Sequence, residues 1–313
     1  MTGWTAYGET SPLLVAIVLV YNRWEHLRKC LPALLESTYP ILRVIVVDNG
    51  STVPAPQDVE SLLKRIEVIR NSENLGYAGG NNIGIVRAMA LGAEYILLAN
   101  DDAYLAKDCL ERLVAVMEAD QSAGALGPLV FDAREPDIVL SACGLWSKDR
   151  LSPYQRGSGE KHRGQYTTLL PSFYVDGCCL LLRTSAMERV GLLDESFFFF
   201  FEEVDLCVRL RALGYGCFVV PWARVEHEGS GTAGRGSSFS KYFYTRNRFL
   251  FARKTTAGPR RFVHILWILC TEATLVKLLL KNPRNPALWG RARGILDGLL
   301  GIKGRGPTWI CPQ

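Results

Sequence analysis

The sequence lacks the patterns that would assign it to several common classes of protein. Its nine cysteines are an odd number, contain no Cys-x-x-Cys pair and lie mostly in apolar segments. This usage argues against a disulfide framework or a zinc site and indicates reduced core thiols in a cytosolic protein. No internal repeat or low-complexity tract is present in the sequence.

Export signals are also lacking near the N-terminus. No basic stretch precedes the first apolar run, residues 13–20, and this run is too short for a signal peptide or a membrane span. We therefore expect a cytoplasmic protein, with any membrane contact being peripheral and on the inner face of the plasma membrane.

The composition is that of an ordinary globular protein, but its charge is unevenly distributed. Of the 313 residues, 48% are hydrophobic and 21% are charged, so a large core can be buried. Residues 253–313 hold 11 Lys or Arg and 2 Asp or Glu, a net charge of +9. The whole chain carries +5, so the 252 residues before this tail carry −4. Such a tail suits anionic lipid, a phosphate-bearing substrate or nucleic acid.

Strand and helix patterns alternate through the first 100 residues. Continuously apolar strands that alternate with helices predict an α/β fold, with a parallel sheet covered by helices on both faces. In such sheets, ligands bind at the carboxyl ends of the strands. The predicted strands are residues 13–20, 43–52, 66–71 and 94–102, and the predicted helices are residues 24–38, 59–66, 81–92 and 105–120.

Polar side chains follow four of the predicted strands, and we expect them to meet at one edge of the sheet. Asn100, Asp101 and Asp102 end the fourth strand. Hard divalent cations bind such oxygens and keep coordination positions open for phosphate, although solvated turns use the same residues. The other polar strand ends favour the metal interpretation. They carry Tyr21, Asn22, Asp48, Asn49, Gly50, Asn71 and Asn74.

Two of these regions are suited to a nucleotide. Asp48 could accept hydrogen bonds from a nucleobase imide or a ribose hydroxyl, or could simply form a turn. Residues 74–84 contain four glycines and three asparagines ahead of a predicted helix, so their backbone can approach a ligand closely and the helix N-terminus favours phosphate. The Gly-x-Gly-x-x-Gly fingerprint of dinucleotide-binding folds is missing.

Five consecutive phenylalanines, residues 197–201, precede Glu202 and Glu203. Leucines then recur at helical spacing, which places both glutamates in the first turn of a helix, where the dipole tolerates anions. Such glutamates are commonly surface charges. An apolar pocket wall built by the phenylalanines would instead raise a carboxyl pKa and suit a general base. Asp205 is predicted to cap the helix or to brace it by pairing with Arg209.

Two loops and two further helices are predicted in the rest of the chain. Residues 145–170 and the glycine-rich segment 227–238 are predicted to be mobile, the latter as a lid. His227 is either an ordinary histidine or a second metal ligand beside Asp102. Helices are predicted over about 239–254 and 259–281. Within the second, the apolar run 262–280 is interrupted by His264, Glu272 and Lys277, which favours a helix lying in the membrane interface over a membrane span.

Taken in order, these motifs resemble the family 2 glycosyltransferases of the GT-A fold, in particular the bacterial rhamnosyltransferase-like members that build cell-surface polysaccharide. The resemblance covers roughly residues 13–255, and it implies a catalytic domain over 1–255 with a basic, amphipathic helical extension over 256–313. The motifs are VLVYNR, VVDNGST, NLGYAGGNNIG, LLANDD, GCCLLLR, LLDESFFFFFEEVDLCVRLRALGY, the later His227, and YTRNRFLFARK.

The resemblance also implies an activity and a role for each motif residue. Such enzymes transfer a hexose with inversion from a nucleoside-diphosphate sugar, with the help of Mg²⁺ or Mn²⁺. By position, Asp102 and His227 would bind the metal, with Asp101 close to it, and Asp48 would hold the base or ribose of the donor. The full set implied for the donor nucleotide is Tyr21, Asn22, Asp48, Asn74, Gly79, Asn81 and Asp101.

The catalytic base of the family is usually the aspartate of a Glu-Asp pair just before a helix. Here the pair reads Glu202-Glu203, so Glu203 falls on the aspartate position. The extra methylene shifts the carboxylate by about a bond length, in a reaction where a misplacement of ~1 Å can cost ~10²-fold in rate. Glu203 is the predicted base, and Glu202 is the alternative.

Two other function classes compete with this interpretation. A sugar-nucleotidyltransferase normally has an early glycine-rich, Arg- or Lys-bearing signature, which residues 11–25 do not contain. A non-catalytic nucleotide-sugar-binding module would not need the acid pair. For the enzyme, the predicted donor is dTDP-rhamnose or a UDP-sugar and the predicted acceptor is a saccharide or a polyprenyl-linked sugar. Residues 256–284 are expected to contact a membrane surface. Nucleic acid is not expected, because the basic residues interleave with aliphatic runs.

Overall fold

Apolar strands and helices alternate along the chain, and the strands assemble into one large sheet. The computed structural model describes residues 11–64, 66–229 and 236–311. The strands are β1 Leu14–Val20, β2 Leu42–Asp48, β3 Glu67–Arg70, β4 Tyr95–Asn100, β5 Ala103–Leu105, β6 Ala123–Asp132, β7 Ile138–Ser141, β8 Cys143–Ser147, β9 Ser152–Arg156, β10 Glu160–Lys161, β11 Leu170–Pro171, β12 Cys179–Arg183 and β13 Gly216–His227.

Helices cover the sheet and form the C-terminal part of the chain, and a short 3₁₀ helix, Trp24–His26, follows β1. The α-helices are α1 Leu27–Leu35, α2 Gln57–Leu63, α3 Gly76–Ala90, α4 Cys109–Ala119, α5 Thr184–Val190, α6 Glu202–Ala212, α7 Ser238–Thr255, α8 Gly258–Thr271, α9 Leu275–Lys281 and α10 Pro286–Leu300.

Within the described residues, eleven strands form the main sheet, and β8 and β9 form a separate hairpin. The main path runs β10-β7-β6-β12-β4-β1-β2-β3, and β13 pairs with β5, β6 and β11. The neighbours β3, β2, β1 and β4 are all parallel, whereas β12 enters antiparallel between β4 and β6. The predicted α/β class with a mostly parallel central sheet is confirmed.

Strand β1 lies at the centre of this sheet and is buried on both faces. Alternate side chains point to opposite faces of a strand. Leu14, Ala16 and Val18 therefore pack in the apolar cluster that contains α1 and α4. Val15 and Ile17 pack in the second cluster, which contains α3 and α6. Two helical layers thus enclose the strand, which explains its uninterrupted apolar sequence.

The strand register brings polar residues to one edge of the sheet. Val20 at the end of β1 lies opposite Asp48 at the end of β2, and Leu19 lies opposite Asn100 at the end of β4. Because the three strands end level with one another, the residues that follow them share one rim. The site described below is built on that rim.

Several elements differ from the sequence-based predictions. Helix α3 begins at Gly76, five residues earlier than predicted, so most of the glycine-rich segment is helical. The loop predicted over 145–170 contains most of the β8–β9 hairpin together with β10. The helix predicted over 259–281 is two helices, α8 and α9. Of the lid predicted over 227–238, residues 230–235 lie outside the described residues.

Helix α10 packs closely along α7 because its contact face is made of glycines. An added Cβ at Gly294 would lie 2.6 Å from the carbonyl oxygen of Tyr242, and one at Gly298 would lie 2.6 Å from the ring of Phe249. Between these glycines, the buried Asp297 accepts a hydrogen bond from the Tyr242 hydroxyl at 2.7 Å. The C-terminal segment therefore packs against α7, which precedes residue 256, and the domain division after residue 255 stays a prediction.

Candidate active site

A cavity of about 1030 Å³ opens at the rim where β1 and β4 end. It brings together eight of the eleven residues predicted for the site, from both halves of the chain. Asp102 and Glu203, which are a hundred residues apart in sequence, line the same cavity. The eight are Tyr21, Asn22, Asn74, Asp101, Asp102, Glu202, Glu203 and His227.

Three predicted residues do not line the cavity. Gly79 and Asn81 lie inside α3, and Asn81 is buried with its side-chain amide donating to the Tyr77 carbonyl at 2.9 Å. They do not reach the cavity because the helix starts at Gly76, so only the first residues of the glycine-rich segment face it. Asp48 lies just behind the rim, where its Oδ1 accepts from the Ser51 backbone N–H at 2.9 Å.

The asparagines at the rim hold the strand ends together. Asn22 has a left-handed backbone, with φ of 59°, and its Oδ1 accepts from the backbone N–H groups of Thr52 and Val53 at 2.8 and 3.0 Å. Asn49, which the sequence analysis placed only at a strand end, lines the cavity and donates to Asn74 Oδ1 at 3.0 Å. These bonds fix the loops that follow β1, β2 and β3.

Asp102, the second of the two adjacent aspartates that follow β4, is held as a carboxylate. Its Oδ1 lies 3.0 Å from His227 Nε2, and its Oδ2 lies 3.3 Å from Arg23 Nη1. Burial alone would raise the pKa of Asp102, but the hydrogen bond and charge of His227, together with Arg23, outweigh it and lower the pKa to about 2. Asp101 differs, because burial raises its pKa to about 7 against the opposing charge of Arg23.

These residues fit a hard divalent cation whose remaining ligands come from a substrate. Among the described residues, no group of three or more His, Cys, Asp and Glu side chains could hold a metal ion alone. Mg²⁺ is commonly bound through one or two carboxylates plus substrate phosphates and water. The ionised Asp102 supplies one such carboxylate at the cavity wall, and His227, whose Nε2 is hydrogen-bonded to it, could add a nitrogen only after releasing a proton.

The two candidate general bases, Glu202 and Glu203, lie on the first turn of α6, as expected from the sequence. Glu202 is 4% exposed, whereas Glu203 is partly exposed and faces the cavity. Within the described part of the chain, one carboxyl oxygen of each glutamate is buried without a hydrogen-bond partner. The predicted brace is confirmed, because Arg209 Nε lies 2.7 Å from Asp205 Oδ2.

Burial changes the protonation of both glutamates. It raises the pKa of Glu202 well above its usual value, and the charge of Glu203 adds to this effect. It also raises the pKa of Glu203 to about 7, with a further contribution from the charge of Asp176. Burial therefore favours the protonated form of Glu202, while Glu203, with a pKa near neutral pH, can exchange a proton.

Asp176 is a cavity residue that the sequence reasoning missed as a candidate. Its Oδ2 accepts from Gln155 Nε2 at 2.8 Å and its Oδ1 accepts from the Cys178 backbone N–H at 3.0 Å. The Tyr77 hydroxyl ties the same turn to α3 by donating to the Gly177 carbonyl at 2.6 Å. The sequence signal for Asp176 was a single acidic residue directly before Gly-Cys-Cys and the apolar strand that follows. A single acidic residue in this position is weak evidence for a functional role.

The phenylalanine run has two roles. Phe198, Phe199 and Phe200 line the cavity, whereas Phe197 and Phe201 are 1% exposed and pack in the core. Only part of the run therefore forms the apolar wall suggested by the sequence. The C-terminal segment completes this side of the cavity, because Ile310 and Cys311 also line it.

A strained loop carries the two glutamates, and α7 holds it in place. Phe198, Phe200 and Phe201 have positive φ values of 63°, 68° and 77°, a region that residues with a side chain rarely adopt. Asn247 donates from its side-chain amide to the carbonyls of Phe197, Phe199 and Phe200 at 3.0, 2.8 and 2.8 Å. Its neighbour Arg246 donates to the Phe197 carbonyl at 2.8 Å.

Replacing Asn247 with alanine is expected to lower kcat by roughly 10–100-fold, because the loop that positions Glu203 loses its donor and relaxes by a fraction of an ångström or more. Steady-state kinetics with the thermal midpoint of unfolding measured in parallel would check this. Asn285→Ala, which removes the N-cap of α10 at a cost of about 1 kcal/mol, is the matched control and should leave kcat unchanged. Equal kcat values for the two variants would contradict the positioning role.

Comparison with known proteins identifies the family. The model of "Glycosyl transferase family 2" matches residues 15–191, more than half of the chain. The chain belongs to glycosyl transferase family 2. This membership confirms the resemblance drawn from the motifs and makes the protein a glycosyltransferase.

Curated relatives of this family 2 protein include rhamnosyltransferases. It is 27% identical over 266 residues to the N-acetylglucosaminyl-diphospho-decaprenol L-rhamnosyltransferase of Mycobacterium tuberculosis, covering 79% of this chain and 86% of the relative. It is 24% identical over 305 residues to the dTDP-rhamnosyl transferase RfbF of Shigella flexneri, covering 94% of this chain and 97% of the relative. The rhamnosyltransferase-like character inferred from the sequence is confirmed.

Solved structures of glycosyltransferases confirm the GT-A fold of this family 2 enzyme. The mannosyltransferase PcManGT of Pyrobaculum calidifontis, solved with GDP-Man and Mn²⁺, superposes with a TM-score of 0.60 at 16% identity over 95% of this chain and 90% of the other. GalNAc-T7, solved with UDP, GalNAc and Mn²⁺, also gives a TM-score of 0.60 at 18% identity. The match covers 77% of this chain but only 48% of GalNAc-T7.

Proposed function

We propose that this enzyme transfers a sugar, with inversion, from a nucleoside-diphosphate sugar to a hydroxyl group of a saccharide or polyprenyl-linked acceptor. The proposal rests on one observation above all: Asp102 and Glu203 line the same cavity. One bound donor could therefore meet two different groups in this cavity. Asp102 is a carboxylate suited to binding a cation and its diphosphate, and Glu203 is a carboxyl group suited to accepting a proton.

The proposed reaction is a single displacement. The acceptor oxygen forms a bond to the anomeric carbon as the bond from that carbon to the diphosphate oxygen breaks, and the electron pair leaves with the diphosphate. Glu203 takes the proton of the acceptor hydroxyl, which is a poor nucleophile without a base. Attack from the side opposite the leaving group inverts the anomeric configuration. Glu202 is the less suitable base, because its raised pKa favours its protonated form.

The leaving group would be stabilised by other residues of the same cavity. Asp102 and His227 would hold a divalent cation, Mg²⁺ or Mn²⁺, which supplies positive charge to the departing diphosphate. Support for the cation comes from the ionised Asp102 and from two structural neighbours that were solved with Mn²⁺. The rim residues Tyr21, Asn22 and Asn74 would contact the nucleotide, with Asp48 behind them.

The proposed substrates are supported by the names of two relatives and by one cavity residue. A dTDP-rhamnose donor is the first choice, because one relative is named as a dTDP-rhamnosyl transferase, and a UDP-sugar is the second. A lipid-linked acceptor is supported by the decaprenol-linked acceptor in the name of another relative. Asp176 would bind an acceptor hydroxyl beside Glu203. A role in cell-surface polysaccharide synthesis at the inner face of the plasma membrane, with contact through residues 256–284, belongs to the same proposal.

A donor screen tests this function. The full chain is incubated with dTDP-rhamnose, UDP-sugars and GDP-mannose in the presence of Mn²⁺ or Mg²⁺, and release of the nucleoside diphosphate is followed with and without a lipid-linked sugar acceptor. We expect acceptor-dependent release that EDTA abolishes. Formation of a sugar nucleotide from a nucleoside triphosphate and a sugar phosphate would support a nucleotidyltransferase instead. Binding of donors without any release would support a non-catalytic module.

A further inference from the structure

Helices α8 and α9 expose an unusual amount of apolar surface. The exposed fraction is 69% for Phe262 and 79% for Leu280, both of which would be buried in an ordinary core. Extended apolar surfaces of this kind commonly mark contact with a protein or a membrane. The outward apolar face is defined here as Phe262, Val263, Leu266, Trp267, Val276 and Leu280.

The charge around the outward apolar face has one sign. Between residues 256 and 311, all of which the structure describes, the sequence contains only two acids, Glu272 and Asp297. Both are buried and paired, Glu272 with Arg248 and Arg291, and Asp297 with Arg293. The solvent-facing charge of this region is therefore entirely positive. It includes the exposed residues Arg260, Arg261, Lys277, Lys281 and Arg284.

Length and composition alone would allow residues Gly258–Lys281 to cross a membrane as a 24-residue segment. The structure divides this segment, however, since α8 ends at Thr271 and α9 starts at Leu275. At 1.5 Å per residue, α8 with its 14 residues is only about 21 Å long, whereas a bilayer core is about 30 Å thick. Neither helix alone is long enough to span.

The opposite face of the same segment is fixed to the protein. Ile268, Glu272 and Leu275 follow one another at helical spacing and are all buried. Ile268 packs against Phe249 and Ala252. Glu272 lies at the break between the helices, where its carboxylate accepts from Arg248 Nη1 at 2.7 Å. The segment therefore has one face on the protein and one face outward, which a membrane span between lipids would not have.

We propose that α8 and α9 lie flat in the interface of an anionic membrane, with the outward apolar face immersed and the basic residues against lipid phosphates. Amphipathic helices of this kind bury their apolar face about 5–10 Å into the boundary between headgroups and acyl chains. The membrane contact included in the proposed function is thereby assigned to two helices in a stated orientation. Because no sugar transfer is involved in membrane binding, the two proposals can fail separately.

Sedimentation with vesicles tests the charge and the apolar face. The full chain is mixed with vesicles of phosphatidylcholine alone or with phosphatidylglycerol added, with no donor or acceptor present. We expect binding that requires phosphatidylglycerol, weakens with salt, and falls by roughly tenfold or more in the double variant Phe262→Ser/Leu280→Ser. The control is Val53→Ser/Val86→Ser, which changes two exposed apolar side chains outside this region. Binding that is equal in both double variants, or absent with these protein-free vesicles, would overturn the proposal.

The native Cys270 tests whether the segment lies flat or spans. All nine cysteines lie within the described residues, and Cys270 is the exposed one, so a thiol-reactive fluorophore should label it selectively. Cys270 is near the middle of residues 258–281, and a span would therefore carry the label to the bilayer centre. We expect lipids with a quencher near the headgroup to quench the label more strongly than lipids with a quencher at the chain end. Stronger quenching from the chain end would overturn the flat arrangement.

Discussion

Replacing Glu203 with glutamine is expected to lower kcat by ~10²–10⁴-fold, the usual contribution of a general base. Glutamine keeps the size of the side chain, but its amide cannot take the proton from the hydroxyl group of the acceptor substrate. Donor binding should change little, because the residues proposed to contact the nucleotide, Tyr21, Asn22 and Asn74, do not include Glu203. Transfer assays with donor titration measure both quantities.

Two further variants make the Glu203 result specific. Glu202→Gln is expected to retain most activity, because burial favours the protonated form of Glu202, and the amide mimics that neutral form. Glu188→Gln, on the exposed surface of α5, controls for loss of a carboxylate elsewhere. Full turnover by Glu203→Gln together with an inactive Glu202→Gln would assign the base to Glu202.

The pH profile provides an independent readout of the same base. Burial and the charge of Asp176 raise the pKa of Glu203 to about 7, so the residue loses its charge, and its ability to accept a proton, as the pH falls through that value. We expect kcat/KM to fall tenfold per pH unit below about pH 7 and to level off above it. The residual activity of Glu203→Gln should lack this acidic limb. A wild-type profile that is flat through neutral pH would contradict the assignment.

Replacing Asp102 with asparagine is expected to lower kcat/KM by at least ~10²-fold and to weaken Mn²⁺ binding in the presence of nucleoside diphosphate. A bound cation supplies several kcal/mol of charge stabilisation at the leaving group, and each ~1.4 kcal/mol corresponds to tenfold in rate. Steady-state kinetics give the rate, and Mn²⁺ titration followed by electron paramagnetic resonance gives the affinity.

The effect of Asp102→Asn on folding stability must be separated from its effect on metal binding. Asp102→Asn also disturbs the contacts with Arg23 and His227, so the thermal midpoint should be measured alongside. Asp108→Asn changes an aspartate at the start of α4 that pairs with Arg112 and lies outside the cavity, and it should leave both rate and Mn²⁺ affinity unchanged. Wild-type activity of Asp102→Asn in the presence of EDTA would refute the cation site.

The central strands and their polar ends could be predicted because local sequence determines them. Short uninterrupted apolar runs rich in β-branched residues, such as residues 14–20, favour strands buried on both faces, and parallel strands bring their carboxyl ends to one edge. This reasoning placed Asp101 and Asp102 at the cavity. The link to Glu203, a hundred residues later, came from the family resemblance and not from local pattern.

The elements that were missed depend on tertiary contacts. Helix α3 starts at Gly76, where glycines lower intrinsic helix propensity and packing against β1 overrides it. Residues 286–300 were predicted only as part of the helical extension 256–313, because the glycines of α10 lower its helix propensity and their close packing against α7 is a tertiary contact. The importance of Asn247 was likewise hidden, because its three acceptors are carbonyls of a loop some fifty residues earlier.

The central claim is that Asp102 and Glu203 act from opposite sides on one sugar donor. The most direct measurement is a crystal structure with the nucleoside-diphosphate sugar identified by the donor screen and Mn²⁺, with the manganese located by anomalous scattering. The account predicts manganese coordinated by Asp102 and a diphosphate oxygen, and Glu203 on the far side of the anomeric carbon from the diphosphate. Manganese bound away from Asp102, or Glu203 on the same side as the diphosphate, would contradict it.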